Sequence, residues 1–162
     1  MHVRAHRHYA LPLCILVVVL AALTGCQAVQ YSEQVKSTIE SYAIKELLST
    51  RSLGSTFAEF DFFGFAEGSQ SDYYVYGWCL VAEVDRELRV VSAESLPVRF
   101  AIERRFFGYK VVDHQIPTSG EQFAQDVKAI FPAEYWQRVF EYPKASSGLE
   151  KKVLDKARVY YR

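Results

Sequence analysis

Residues 73–84 read YYVYGWCLVAEV, and their composition decides the fold class. β-branched and aromatic side chains fill the stretch and no proline interrupts it. Turn-forming residues flank it, Gly68-Ser69-Gln70-Ser71-Asp72 before and Asp85-Arg86-Glu87 after. It is the strongest strand signal in the chain. Upstream, 56–67 is crowded with phenylalanine and alternates as a strand does. Phe57, Glu59, Asp61, Phe63 and Phe65 fall on one face, and Ala58, Phe60, Phe62, Gly64 and Ala66 on the other. The two runs and the turn between them predict a hairpin. Downstream, further strands are expected over 88–93, over 96–103 with Pro97 confined to a start or a sheet edge, and over 106–116 around Gly108. Connections this short cannot carry parallel crossovers, so the sheet is expected to be antiparallel.

Helical spacing appears on both sides of these strands. In 28–50, Tyr31, Val35, Ile39, Tyr42, Ala43 and Leu47 recur at intervals of three and four, with Glu33, Lys36, Glu40 and Lys45 on the other face. Thr118-Ser119-Gly120-Glu121 fits a capping box and predicts a helix ending near Phe131-Pro132. Pro132 suits the start of a second helix with Tyr135, Trp136, Val139 and Phe140 on its apolar side. After a loop over 144–148, Leu149, Val153, Ala157 and Tyr160 mark a last helix. The expectation is therefore α+β: an N-terminal helix packed on a curved antiparallel sheet of four or five strands, followed by C-terminal helices. That order resembles a cystatin-like or NTF2-like cone. The body is also similar to a group of small uncharacterised bacterial lipoproteins in Ser95-Leu96-Pro97-Val98, Gly108-Tyr109-Lys110-Val111-Val112, Ile116-Pro117, Gly120 and Phe131-Pro132. The resemblance implies no reaction and no catalytic residues.

The N-terminus supplies an address. Residues 1–10 carry Arg4 and Arg7 and no acid, and 11–23 read LPLCILVVVLAAL. As a helix this run would extend roughly 20 Å, short of a hydrocarbon core of about 30 Å. A basic leader, an apolar run of this length and small residues at its end describe a signal peptide. Leu23-Thr24-Gly25-Cys26 resembles the lipobox of bacterial lipoproteins. The resemblance implies attachment of diacylglycerol, with its palmitate-type chains, to the Cys26 thiol as a thioether, and cleavage between Gly25 and Cys26. The expected organisation is thus a signal over 1–25, a lipidated tether over 26–30 and a single α+β domain over 31–162. Gln27 after the cysteine would suggest the outer membrane in a Gram-negative host. In a Gram-positive host the anchor would lie on the outer face of the cytoplasmic membrane.

Losing 25 of 162 residues leaves 137, one domain with a single core. Two of the nineteen basic residues leave with the signal, so seventeen face nineteen acids, a net charge near −2. That balance invites neither nucleic acid nor an anionic surface. With Cys14 removed and Cys26 acylated, Cys79 is the one remaining thiol, and stability must come from packing of a chain with twenty-four aromatic residues.

The chemistry-bearing residues are few. A nucleophilic pair would have to be Cys79 and His114, with Asp113 as orienter, yet Cys79 sits in an apolar strand and Asp113 and His114 would point to opposite faces. Two Cys or His ligands are too few for structural zinc. Glu83, Asp85 and Glu87 cluster at a turn, and Glu59 and Asp61 share a strand face in the manner of a carboxylate pair. Gly-x-Ser-x-Gly, phosphate-loop and dinucleotide fingerprints are missing from the sequence. No catalytic residue, metal or cofactor is therefore expected. The leading expectation is a non-enzymatic, lipid-anchored envelope protein that meets another envelope protein or the cell wall. The alternative is a small-ligand or glycan binder with Tyr74, Tyr76 and Trp78 lining an aromatic cavity.

Overall fold

The sheet is a four-stranded antiparallel meander in the order β1-β2-β3-β4: β1 Ser55–Glu67, β2 Tyr73–Val84, β3 Val90–Arg105 and β4 Gly108–Gln115. Helix α1, Glu33–Glu46, precedes it. Helices α2 (Phe123–Ile130), α3 (Ala133–Glu141) and α4 (Ser147–Tyr160) follow, with a 3-10 turn Tyr142–Lys144 before α4. The α+β architecture is as expected from the sequence. The computed structural model describes residues 31–48, 54–68, 73–144 and 147–162. The signal over 1–25, its cleavage point Gly25-Cys26, the lipidation site Cys26 and the tether over 26–30 lie outside the described residues. So do the ends 28–30 and 49–50 of the first helical pattern, 69–72 of the first turn and 145–146 of the loop before α4.

β2 lies inside the sheet and both its faces are covered, which is why its sequence reads as a nearly continuous apolar run. Val75, Cys79 and Val81 point to one side with Phe60, Val98 and Phe100, and α1 packs there through Val35, Ile39 and Ala43, all buried. The Tyr42 ring meets Phe100 edge-on at 5.9 Å. Ser32 starts this helix by accepting from the Val35 N–H at 3.3 Å. On the opposite side Tyr76, Trp78, Leu80, Ala82 and Val84 join Val127 and Phe131 of the α2 region, Val139 of α3, Tyr142, and Leu149, Val153 and Ala157 of α4. Each such fully buried side chain contributes about 1.5–3 kcal/mol. At the end of α4, the Tyr161 hydroxyl accepts from the Ser55 N–H at 3.0 Å and donates to the Val84 carbonyl at 2.8 Å.

Four details differ from the sequence expectation. The alternation of β1 switches at a bulge between Phe62 and Gly64, where Phe63 is the extra residue. Gly64 and Ala66 therefore join the face of Phe57, Glu59 and Asp61, and Phe65 joins Phe62, stacked at 6.2 Å. The strands expected over 88–93 and 96–103 are one strand, β3, with Pro97 in its interior. Proline is tolerated because β4 does not join β3 until Arg99 pairs with Gln115, so Pro97 owes no ladder bond on that side. Thr118 does not cap a helix: Gly120 takes φ +87° and turns the chain, Thr118 N–H donates to the Asp126 carboxylate at 2.9 Å, and α2 begins at Phe123. In the last helix Tyr160 points outward, and Tyr161 continues the four-residue spacing of Leu149, Val153 and Ala157 toward the core.

Candidate functional site

The aromatic ladder lies on the face of β2 that the C-terminal helices cover. Trp78 stacks on Tyr142 with ring centroids 4.7 Å apart, and its indole N–H donates to Ser95 Oγ at 2.9 Å. Tyr76 is wedged against Phe131 and Tyr135, both at 5.7 Å, and burial pushes its phenol up. The Arg99 guanidinium lies over the Tyr74 ring at 4.2 Å. Each of the three rings is thus packed against other protein side chains, Trp78 and Tyr76 within the core and Tyr74 at its border.

Cys79 and His114 share the α1 face but are far apart. His114 pairs with Phe100 and so lies level with Val75, while Cys79 is four positions further along β2, about 13 Å by strand rise. Cys79 is fully buried, and desolvation pushes its thiol up. The His114 Nδ1 is hydrogen-bonded to the Tyr42 hydroxyl at 2.9 Å, and Asp113 faces the other way. A thiolate nucleophile is not assembled here.

Glu59 and Asp61 do share a face, but each has its own cation. Glu59 is 1% exposed and takes Lys36 from α1 at 2.6 Å on one oxygen and Lys156 from α4 at 2.7 Å on the other. Lys156 also reaches Glu40 at 2.8 Å and the Ala58 carbonyl at 2.6 Å. Burial alone would raise the Glu59 carboxyl, but the hydrogen bonds from Lys156 and Lys36 outweigh it and hold it below the usual carboxylate value. Asp61 accepts from Arg138 at 3.2 Å. A glycosidase pair needs one carboxyl raised to serve as acid, and Glu59 is shifted the other way. Sequence reading found Glu59 but not Lys36 and Lys156. The available signal was a glutamate between Ala58 and Phe60 in a strand otherwise rich in phenylalanine, a position that needs a cation once it is buried. The cluster ties α1 and α4 together across β1 and blocks part of that sheet edge with lysine.

Of the acids at the β2–β3 turn, Glu83 turns inward while Asp85 and Glu87 stay together on Arg89, Glu87 at 3.3 Å. Glu83 is buried and accepts from the Gly54 N–H, whereas Asp85 binds Arg89 through its backbone N–H at 2.9 Å and its guanidinium at 2.7 Å. Among the described residues no group of three His, Cys, Asp or Glu side chains could hold a metal ion. No helix among them is long and apolar enough to cross a membrane.

The other edge of the sheet is different. From Val90 to Val98, β3 pairs with β2 alone among the described strands. Val90 and Val91 are exposed, and Leu80, Ala82, Val90, Ala93, Ser95, Glu150 and Val153 line a cleft of about 270 Å³ between this half-strand and α4. That is short of the roughly 300 Å³ at which small-molecule pockets begin. An extended backbone beside a shallow apolar cleft suits a peptide strand better than a compact ligand. No family model, curated protein or solved structure matches this chain.

Proposed function

We propose that this protein is a lipid-anchored lipoprotein of the bacterial cell envelope whose α+β body is a non-enzymatic interaction module. Acyl chains on Cys26 hold it to the membrane, the outer one in a Gram-negative host and the outer face of the cytoplasmic membrane in a Gram-positive host. Its partner is another envelope protein, which contributes an extended segment to β3 between Val90 and Val98. The observation that carries the reading is the half-strand ahead of Arg99, paired with β2 alone among the described strands and exposed at Val90, Val91, Ala93 and Glu94 beside an apolar cleft, while the opposite edge at β1 is guarded by Lys156. Added strands supply main-chain hydrogen bonds for affinity and side-chain pockets for specificity.

Two measurements test the parts separately. Intact mass of the native protein gives the anchor: a diacylated N-terminal Cys26 is expected, and a bare sulfhydryl or a retained leader removes it. A photo-crosslinking residue at Glu94 in living cells gives the interface. It should yield one discrete protein adduct that Ala93→Pro abolishes while the protein stays folded. Adducts of the same pattern from Glu141 and from Lys128, exposed positions outside the cleft, would remove the strand-addition reading.

A further inference from the structure

The hairpin joining β3 to β4 has a chemistry that turn formation does not require. Its two-residue tip is Phe106-Phe107, 93% and 91% exposed, with the rings against each other at 4.7 Å. Tight hairpins favour Asn, Asp and Gly at such positions, and here only Gly108, at φ +125°, follows that chemistry. Around the rings the sequence 103–110 is ERRFFGYK, three cations to one acid, and the acid, Glu103, is bonded to Arg105. A pair of solvent-facing phenylalanines ringed by arginine and lysine, with Tyr109 at their base, has the composition of a segment that sits at a bilayer surface. The net charge near −2 hides this because the acids are distributed elsewhere.

The place of the hairpin strengthens the case. A Cβ at Gly108 would come within 2.7 Å of the Gln34 side-chain nitrogen, so the tip lies beside the first turn of α1. Glu33, exposed, is the one acid of that turn. Cys26 precedes Gln34 by eight residues, a reach of at most about 28 Å of extended chain. We propose that the Arg104–Lys110 hairpin is a second membrane contact, its phenylalanines inserted at the interface and its cations against anionic headgroups of the bilayer that holds the acyl chains. This rests on the anchor reading above. The tether makes a weak contact sufficient, because it presents the tip to the surface at an effective concentration on the order of millimolar. Each ring withdrawn from water favours the docked state by about tenfold or more.

The test uses the full chain made in bacteria and reconstituted into vesicles of phosphatidylethanolamine and phosphatidylglycerol with brominated acyl chains. Phe107→Trp, and separately Phe106→Trp, place an indole at the tip, and the emission of the unsubstituted protein is subtracted. Blue-shifted emission quenched by the brominated lipid is expected, weakened by Arg104→Glu with Arg105→Glu and by raised salt. Water-like, unquenched emission from a chain whose Cys26 is acylated by mass overturns the hairpin proposal and leaves the anchor intact. If Cys26 is bare, the anchor reading falls, and the hairpin is judged by whether the same indole still shifts when vesicles are added. Equal quenching in phosphatidylcholine alone overturns the role of the cations. An indole shielded only in whole envelopes, and not in vesicles, overturns membrane docking in favour of a protein partner.

Discussion

Removing both Lys36 and Lys156 by substitution to methionine should be the most damaging change that leaves the apolar core untouched. Glu59 would keep its place, 1% exposed, with only Lys152 at 3.6 Å, a side chain more than half in solvent that screening makes a weak substitute. Stranding one member of a fully buried ion pair costs about 3–5 kcal/mol, and with Lys36 and Lys156 themselves 23% and 36% exposed the cost here belongs at or below the low end of that range, against a total of about 5–15 kcal/mol for a domain of this kind. The Ala58 carbonyl loses its lysine as well, adding about 1 kcal/mol where water does not replace it. The sign of the pH dependence is the sharper test. In the wild-type protein the folded Glu59 carboxyl lies below its ordinary 4.5, so its stabilisation is present above that value and is lost as pH falls through the folded value. In the double variant desolvation is opposed only by the solvent-screened Lys152, the folded carboxyl rises above 4.5, and the folded state takes up the proton more readily than the unfolded one. Stability should then increase as pH falls from 7 toward 5, where the wild type is flat or declining. Urea midpoints across this range measure both, and adding Glu59→Gln should recover much of the loss. A double variant with the wild-type midpoint, or one that Glu59→Gln does not rescue, would refute the account of the cluster.

Gly77→Ala should destabilise by about 1–3 kcal/mol in urea unfolding, because its Cβ would lie 2.4 Å from the Asp61 backbone carbonyl and 2.3 Å from the Phe60 ring. Gly64→Val should lift α3 instead, since the added Cβ meets the Tyr135 phenol, and altered near-ultraviolet dichroism with retained far-ultraviolet signal would report it. Ser95→Ala leaves the buried Trp78 indole N–H without its acceptor and should cost about 1–3 kcal/mol. Cys79 should resist a thiol reagent in native protein and react only at the rate of unfolding, read from the mass of its peptide; rapid native labelling would contradict its burial.

What the sequence made legible depended on whether a property is periodic. Val35, Ile39 and Ala43, or Leu149, Val153 and Ala157, repeat every four residues, so the buried stripes of α1 and α4 could be read directly. The run over 73–84 could be read as a strand but not as one covered on both faces. The helices that hide Tyr76 and Trp78 lie about fifty or more residues downstream, and their packing is a long-range event. Aperiodic devices were invisible: the bulge at Phe63 reverses the facing of the rest of β1, and Gly120 at φ +87° delays α2 past an apparent capping box.

Charge was the least legible property, because pairing distance is unrelated to separation in sequence. Lys156 is ninety-seven residues from Glu59, yet the two meet at 2.7 Å, and a strand glutamate that resembled half of a catalytic pair is instead the fixed point of a structural cluster. The tip of the β3–β4 hairpin is the opposite case. A net charge near neutrality excluded anionic surfaces only on average, although the local run ERRFFGYK already sets Arg104, Arg105 and Lys110 around two phenylalanines, and folding adds only that the rings are exposed beside the start of α1. A surface is recognised by local composition, so the average charge of this body carries little information about what the hairpin meets.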